Sequence, residues 1–261
     1  MRNEVVRDYN SVFEIKKSRG GGKIACWLIA IVSIGLVIFL TIKYIIPRIK
    51  QSSYDVSIVG GSVYAVSVLK SADVVSLEQA YPSAVAVGSS GYIWSEDNIS
   101  YLLALIYPTE DMAKSVIASN QNSNFDLSIE VLRLPTIRYN LPEYTEQEKN
   151  AVIDCTNYIF GLVDKLYNMT ISLQLDNVSA ISSASTINSY KGDLLAYNVR
   201  LENVLKTKPN DDVTHLLEQS VKACNILEKL VNDLLTNSDV DNKMKYTLCE
   251  YIYSVYNYYQ K

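Results

Sequence analysis

The chain has 261 residues, a formal net charge of −4, four cysteines and one histidine. The first 50 residues hold nine basic and three acidic side chains, whereas the remainder holds 15 basic and 25 acidic ones. An acidic folded part disfavours nucleic acid as a partner, because phosphate backbones are bound by basic surfaces. No two cysteines form a C-x-x-C pair, which excludes zinc motifs of ordinary spacing.

The strongest local signal is Ile24–Ile42, a run of 19 residues without a charge. About 20 apolar residues in a helix span the roughly 30 Å hydrocarbon core of a bilayer, so the sequence predicts a transmembrane helix over 24–46. Six basic residues precede the run and three follow it closely, which favours a cytoplasmic N-terminus. A cleaved signal peptide is the alternative, although its apolar core of about 7–15 residues is normally shorter.

We therefore expect a single-pass protein of the cell membrane, with its C-terminal domains outside the cytoplasm. The predicted parts are a cytoplasmic N-terminal stub (1–23), a transmembrane anchor (24–46), a linker (47–62), an α/β module (63–140) and a helical domain (144–261). The membrane is thus the first predicted partner.

In the α/β module, β-branched and aromatic runs alternate with helical segments. The first half has a predicted strand at Val63–Leu69 and a short helix that is capped by Ser71 or Asp73 and ended by Pro82. A second strand follows at Ala84–Val87, and Tyr92–Trp94 extends it after a turn. The second half has a strand at Ser100–Ile106, a helix from Thr109 to Ser119 and a strand at Leu127–Leu134. The order βαββαβ favours one antiparallel sheet with both helices on the same face.

The second half of this module has Tyr107 after an apolar strand, Thr109 at the start of a helix and Ala113 on that helix. The first half keeps apolar Val66 and Val68 on its strand. With these residues the region over about 60–138 resembles the SPOR (sporulation-related repeat) domain, a βαββαβ module of bacterial envelope proteins. The resemblance implies that the open face of the sheet binds peptidoglycan glycan strands.

Six residues are predicted to bind glycan. The resemblance places Ala65, Ser67, Tyr101 and Leu103 on the open face, and the hairpin adds Tyr92 and Trp94. The apolar faces of Tyr92 and Trp94 are suited to stacking on sugar rings. The alternative is that these two aromatic side chains pack inside the hairpin.

From Thr145 onward the apolar residues recur with helical spacing, and Thr145 with Glu148 predicts a capping box. Further helices are predicted over 180–206, after the break at Pro209, and from Val240 to about Tyr259. Short breaks between helices favour an antiparallel four-helix arrangement. The predicted fold class is therefore α+β, with one N-terminal transmembrane helix, a two-layer βαββαβ module and an all-α antiparallel bundle.

No catalytic residue, metal site or cofactor is predicted. His215 is the one histidine, and neither G-x-S-x-G nor H-E-x-x-H is present in the sequence. No glycine-rich turn joins a strand to a helix in the manner of a dinucleotide site. We therefore expect a protein that is not an enzyme. The three cysteines beyond the apolar run are expected to be buried free thiols, with one disulfide as the alternative.

These observations predict a membrane-anchored, non-catalytic protein of the bacterial cell envelope, whose SPOR-like module binds peptidoglycan glycan strands in division or sporulation. The alternative is a scaffold or assembly subunit of an envelope complex. In that case the sheet and the helical bundle bind other envelope proteins. Both hypotheses place the folded part outside the cytoplasm, and neither involves nucleic acid.

Overall fold

A computed structural model describes residues 56–120, 124–236 and 239–259. The strands are β1 (Val56–Ile58), β2 (Ser62–Ser71), β3 (Tyr92–Glu96), β4 (Ile99–Tyr107), β5 (Ser128–Arg133) and β6 (Ile137–Tyr139). The helices are α1 (Val74–Ala86), α2 (Glu110–Ser119), α3 (Glu146–Gln174), α4 (Ala180–Thr207), α5 (Asp211–Thr236) and α6 (Val240–Tyr259). The predicted stub, the predicted anchor and most of the predicted linker lie outside the described residues.

Four strands form an antiparallel sheet in the order β3-β4-β2-β5, and β1 pairs with β6 in a separate two-stranded sheet. Ser67 on β2 lies opposite Leu103 on β4 and opposite Ser128 on β5. The register of β2 against β4 shifts on both sides of Ser67, and such bulges bend a strand and increase its twist. Strand β1 lies inside the region predicted as linker, so regular structure begins before residue 63.

Helices α1 and α2 pack on one face of the four-stranded sheet. Leu77 and Ala84 of α1 are fully buried and form a cluster with Val68 and Leu102 of the sheet. Residues seven apart lie on the same side of a helix, so α1 needs only this one stripe to dock. Ala113 of α2 is also fully buried.

The strand predicted at Ala84–Val87 is wrong, because α1 continues past Pro82 to Ala86. A proline inside a helix removes one backbone hydrogen bond and usually ends or bends the helix. Here Pro82 faces solvent, and the buried side of the helix holds Leu77 and Ala84. Burial of that apolar stripe against the sheet therefore outweighs the local preference of proline.

Helix α1 ends at Ala86, and Gly88, two residues further along the chain, has a φ of 90°. The Gly88 amide donates to the Val85 carbonyl, and the Ser89 amide donates to the Ala84 carbonyl. This pair of hydrogen bonds is the Schellman motif, which normally requires glycine at the left-handed position. The motif fixes the direction in which the Gly88 carbonyl points, and that carbonyl matters for the site described below.

Helices α3 to α6 form the helical part, in which successive helices pack against each other and α3 also packs against α6. Their buried residues and those of the four-stranded sheet belong to one continuous core. Cys155, Cys224 and Cys249 are free and buried in this core, which confirms the prediction of buried free thiols.

The observed fold class differs from the one predicted from the sequence. The described residues form an α+β fold with six helices and two small sheets. Within residues 56–120, 124–236 and 239–259, no helix is both long and apolar enough to cross a membrane. Helices α3 to α6 have sufficient length, but each carries charged side chains among its apolar residues. The span predicted over 24–46 lies outside the described residues.

The predicted capping box at the start of α3 is confirmed. The Glu148 amide donates to Thr145 Oγ1 at 3.3 Å, and the Thr145 amide donates to Glu148 Oε2 at 2.6 Å. Lys208, at the end of α4, also contacts Glu148 Oε2 at 2.6 Å. Lys208 and the Thr145 amide together lower the pKa of Glu148 from 4.5 to about 2.

A first prediction concerns this carboxylate. Because the folded protein depresses the pKa of Glu148, its stabilising contribution is present above the ordinary pKa of 4.5 and is lost as the pH falls to about 2. Glu148→Gln should therefore lower the thermal unfolding midpoint at neutral pH and should have progressively less effect toward pH 2. Circular dichroism melting of both proteins across this pH range measures the difference. Glu146→Gln is the control, because the Glu146 side chain is 88% exposed, and an equal effect of Glu148→Gln at all pH values would contradict the assignment.

A second prediction concerns Gly91, which has a φ of 70° and lies under α1. A Cβ atom here would lie 2.5 Å from the ring of Tyr81 and 2.8 Å from a methyl group of Val85. Gly91→Ala should cost about 2 kcal/mol or more in the free energy of unfolding, since it adds backbone strain and crowding. Gly192→Ala is the matched control, because Gly192 lies within α4 with open space around it. Urea denaturation should show that this control is neutral or stabilised, and equal losses in the two variants would contradict the packing described.

Candidate functional site

The residues predicted to bind glycan lie together on one face of the four-stranded sheet. They are Ala65, Ser67, Tyr92, Trp94, Tyr101 and Leu103. Strand partners share a face, and Ser67 and Tyr92 are both partners of Leu103, while Trp94 is the partner of Tyr101. This face is opposite to the one that carries α1 and α2, and we call it the α6-facing surface because helix α6 packs on it.

Helix α6 covers the part of this surface that β3 and β4 form. Of the six residues, Ala65, Ser67 and Leu103 are 0% exposed, Trp94 is 2% exposed and Tyr101 is 7% exposed. Tyr92 is half-buried. The hydroxyl of Ser67 is already engaged, at 2.8 Å from the hydroxyl of Ser128.

Aromatic side chains from both sides fill the contact between α6 and the sheet. The ring of Tyr92 packs edge-on against Tyr246 and Tyr253, with centroid separations of 5.3 and 5.8 Å. Trp94 packs edge-on against Tyr253 and Tyr256, at 6.1 and 6.3 Å. Edge-to-face aromatic pairs at this distance each contribute about 0.5–1.5 kcal/mol beyond the burial of their area.

Hydrogen bonds hold the far end of α6 against strand β3. The Tyr253 hydroxyl donates to the Ser95 carbonyl at 2.8 Å, and the Tyr256 hydroxyl donates to a carboxylate oxygen of Glu96 at 2.7 Å. Burial raises the pKa of the Tyr256 phenol, with Glu96 adding to the effect, so this hydroxyl remains a donor at neutral pH. The surface predicted for glycan is therefore an internal interface, and glycan binding there would require α6 to leave the sheet.

A cleft of about 780 Å³ lies on the opposite side of the sheet, between α2, α3 and the turn that follows α1. Its floor consists of apolar residues from β2 and β4, including Val66, Val68 and Ala104. Met112 and Val116 of α2 line one wall. A cavity of this size with an apolar floor falls in the range of about 300–1,000 Å³ typical of sites for small molecules.

Two further helices complete the cleft. Tyr167 and Ile171 of α3 contribute apolar lining, and Lys245 of α6 contributes a positive charge. The lining has one other charged residue, Asp111. Asp111 lies in the first turn of α2, where the helix dipole stabilises a carboxylate. The cleft thus combines an apolar interior with a lysine ammonium group.

Lys245 is 7% exposed, which is unusual for this residue type. Its ammonium group donates to the Gly88 carbonyl at 2.8 Å and forms no ion pair within the described part of the chain. Burial lowers its pKa, while the carboxylates of Asp241 and Asp239 act in the opposite direction.

Sequence reasoning did not find this lysine, although the sequence holds a signal for it. Lys245, Cys249, Ile252 and Tyr256 are spaced by four, three and four residues and are all buried. This is the spacing of residues on the buried, apolar face of a helix. A lysine at one of these positions is therefore a candidate for a buried charge. The dense tyrosines of α6 obscured which of its faces is buried.

A second cavity, of about 1,100 Å³, lies beside β6 and α5 and includes His215 in its lining. Its lining has charges of both signs, among them Asp212 and Lys222, beside the rings of Tyr139 and Tyr258. His215 is exposed and lies 3.3 Å from Glu218. Within the described ranges, no group of three or more histidine, cysteine, aspartate or glutamate side chains could hold a metal ion.

Comparisons of the chain with protein-family models, with curated proteins and with solved structures found no match.

A third prediction tests the cover over the α6-facing surface. The chain has two tryptophans, Trp27 and Trp94, so Trp27→Phe leaves Trp94 as the only tryptophan fluorophore. We expect blue-shifted emission that acrylamide quenches weakly, because Trp94 is 2% exposed. Addition of purified glycan strands should leave both properties unchanged. Ready quenching, or a red shift on addition of glycan, would show that α6 leaves the sheet and would restore the predicted glycan surface.

Proposed function

We propose that this protein is a membrane-tethered, non-catalytic binding protein of the bacterial cell envelope, and that the cleft between α2, α3 and the turn after α1 holds its ligand. The run Ile24–Ile42 supports the tether, because its 19 residues carry no charge. The excess of basic residues before this run supports a cytoplasmic N-terminus and an extracytoplasmic folded part.

The observation that carries the binding role is the composition of the cleft. Its floor is apolar, its volume is about 780 Å³ and a buried lysine without an ion pair among the described residues lines it. Apolar pockets with a few polar groups are the usual form of sites for small molecules. The assignment to a bacterial envelope rests on the SPOR resemblance and on the N-terminal run.

The predicted binding of peptidoglycan glycan remains a proposal, and it requires that contacts between α6 and the sheet be broken. The aromatic side chains that would stack on sugars, Tyr92 and Trp94, already pack against tyrosines of α6. Glycan would have to replace those contacts as well as the hydrogen bonds of Tyr253 and Tyr256. The cleft needs no such displacement, and for this reason we prefer it.

A scaffold role, the alternative, is favoured by one surface feature. Leu195 and Val199 lie one turn apart on α4 and are 49% and 57% exposed, and Ile181 on the same helix is 73% exposed. Exposed apolar residues in the helical part are suited to a protein partner. Because the helical part shares one core with the sheet, a partner bound there would be held rigidly relative to the cleft.

A fourth prediction tests the cleft with a neutral apolar probe, decanol. The full chain, held in lipid nanodiscs and isotopically labelled at its four methionine methyl groups, allows Met112 in the cleft wall to report occupancy by NMR. We expect a saturable shift of the Met112 signal in the unaltered protein. Ala104→Phe should abolish it, because the larger side chain fills the cleft from its floor.

Ala118→Phe is the matched control, because Ala118 lies on the same helix as Met112 but is exposed outside the cleft lining. The signals of Met169 and Met244 verify that each variant is folded, and Val116→Phe fills the cleft from the α2 wall. No Met112 shift in the unaltered protein, or an equal shift in all variants, would refute the cleft as a binding site. Cellular cross-links from the exposed face of α4 to another protein would then favour the scaffold role.

A further inference from the structure

The ammonium group of Lys245 is only partly satisfied by the protein. A lysine has three N–H donors, and within the described residues one of them donates to the Gly88 carbonyl. Removing a charged group from water without a counter-charge is costly. A buried lysine of this kind therefore requires an explanation from structure or from a ligand.

A structural role explains one of the three donors. Gly88 follows the last turn of α1, and a cation near the C-terminus of a helix interacts favourably with the helix dipole. Asp241 and Asp239 lie near enough to influence Lys245 but form no ion pair with it. The remaining donors belong to a residue that lines the cleft.

The rest of the cleft determines the chemistry of a suitable ligand. Beyond Lys245 and the Asp111 carboxylate the lining is mainly apolar, with Val68 and Ala104 from the sheet and Met112 and Ile171 from the helices. An apolar chain would remove these surfaces from water, at about 25 cal/mol per Å² of buried area. A neutral headgroup would leave the ammonium without a counter-charge, whereas an anionic one would supply it.

We propose that the cleft binds an amphiphile with a single apolar chain and an anionic headgroup, and that Lys245 binds the headgroup. This inference rests on the proposed ligand-binding role of the cleft and specifies its ligand class. A charge-assisted hydrogen bond from the ammonium group would orient the ligand, with its head at the end of α1 and its chain over β2 and β4. The membrane to which we propose the protein is tethered is one source of such amphiphiles, and the surrounding fluid is another.

The test compares decanoate with decanol, which share a chain length and differ in the charge of the headgroup. Both are titrated at neutral pH against the full chain in nanodiscs, with the Met112 methyl signal as the readout. We expect decanoate to bind about tenfold more tightly than decanol, as a charge-assisted hydrogen bond predicts. Lys245→Met should abolish this preference and retain binding of decanol.

Lys243→Met is the matched control, since Lys243 is on the same helix but exposed, and it should keep the preference. Lys245→Arg should keep it as well, because arginine retains the charge and the donors. Equal affinities of the unaltered protein for decanoate and decanol would overturn the inference while leaving the cleft as a binding site. Absence of any Met112 response to either probe would refute the proposed function itself.

If Lys245→Met fails to fold, the comparison of the two probes in the unaltered protein still decides the question. Two further experiments distinguish the membrane from the surrounding fluid as the source of the ligand. In one, decanoate is added in solution to protein held in detergent-free amphipol; in the other, it is preloaded into the nanodisc bilayer. A faster Met112 response from the preloaded bilayer would favour delivery from the membrane. A preference for decanoate that persists in Lys245→Met would show that another group binds the head and would overturn the assignment to Lys245.

Discussion

The packing of α6 against the four-stranded sheet is the contact on which the rest of the structure depends. It brings the last helix of the chain onto β3 and β4 near the beginning of the fold. Trp94 and Tyr92 interlock with tyrosines of α6, and hydrogen bonds from Tyr253 and Tyr256 hold the end of the helix. Contacts between such distant parts of the chain join the α/β module and the helical part into one core.

Helix α6 affects both the predicted glycan surface and the cleft. Its aromatic face removes the predicted glycan surface from solvent, since Trp94 and Leu103 are almost fully buried. Its first turns place Lys245 at the Gly88 carbonyl, where the amine lines the cleft. The four-stranded sheet would expose one face if α6 were absent. With α6 in place, the accessible cleft lies on the opposite face of the sheet.

Local signals in the sequence predicted much of this fold, and long-range contacts account for what they missed. The capping box was predicted because Thr145 and Glu148 are close in sequence. The buried thiols were predicted because free cysteine behaves as a small apolar residue. The helix through Pro82 was missed because burial of Leu77 and Ala84 outweighs the effect of proline. The cleft lysine and the covered sheet face depend on α6, which is about 140 residues from β4 in sequence, and no local pattern specifies that pairing.

Hydrogen–deuterium exchange of the full chain tests this central claim most directly. If α6 is permanently seated on the sheet, the amides of Leu248 to Val255 should exchange as slowly as those of β2 and β4, because opening either element would expose the shared core. Mutation of Trp94 to Ala should accelerate exchange in α6 and in β3 together. Rapid exchange of α6 beside a protected sheet would contradict the account, since it would show that the helix leaves the sheet and that the predicted glycan surface is accessible.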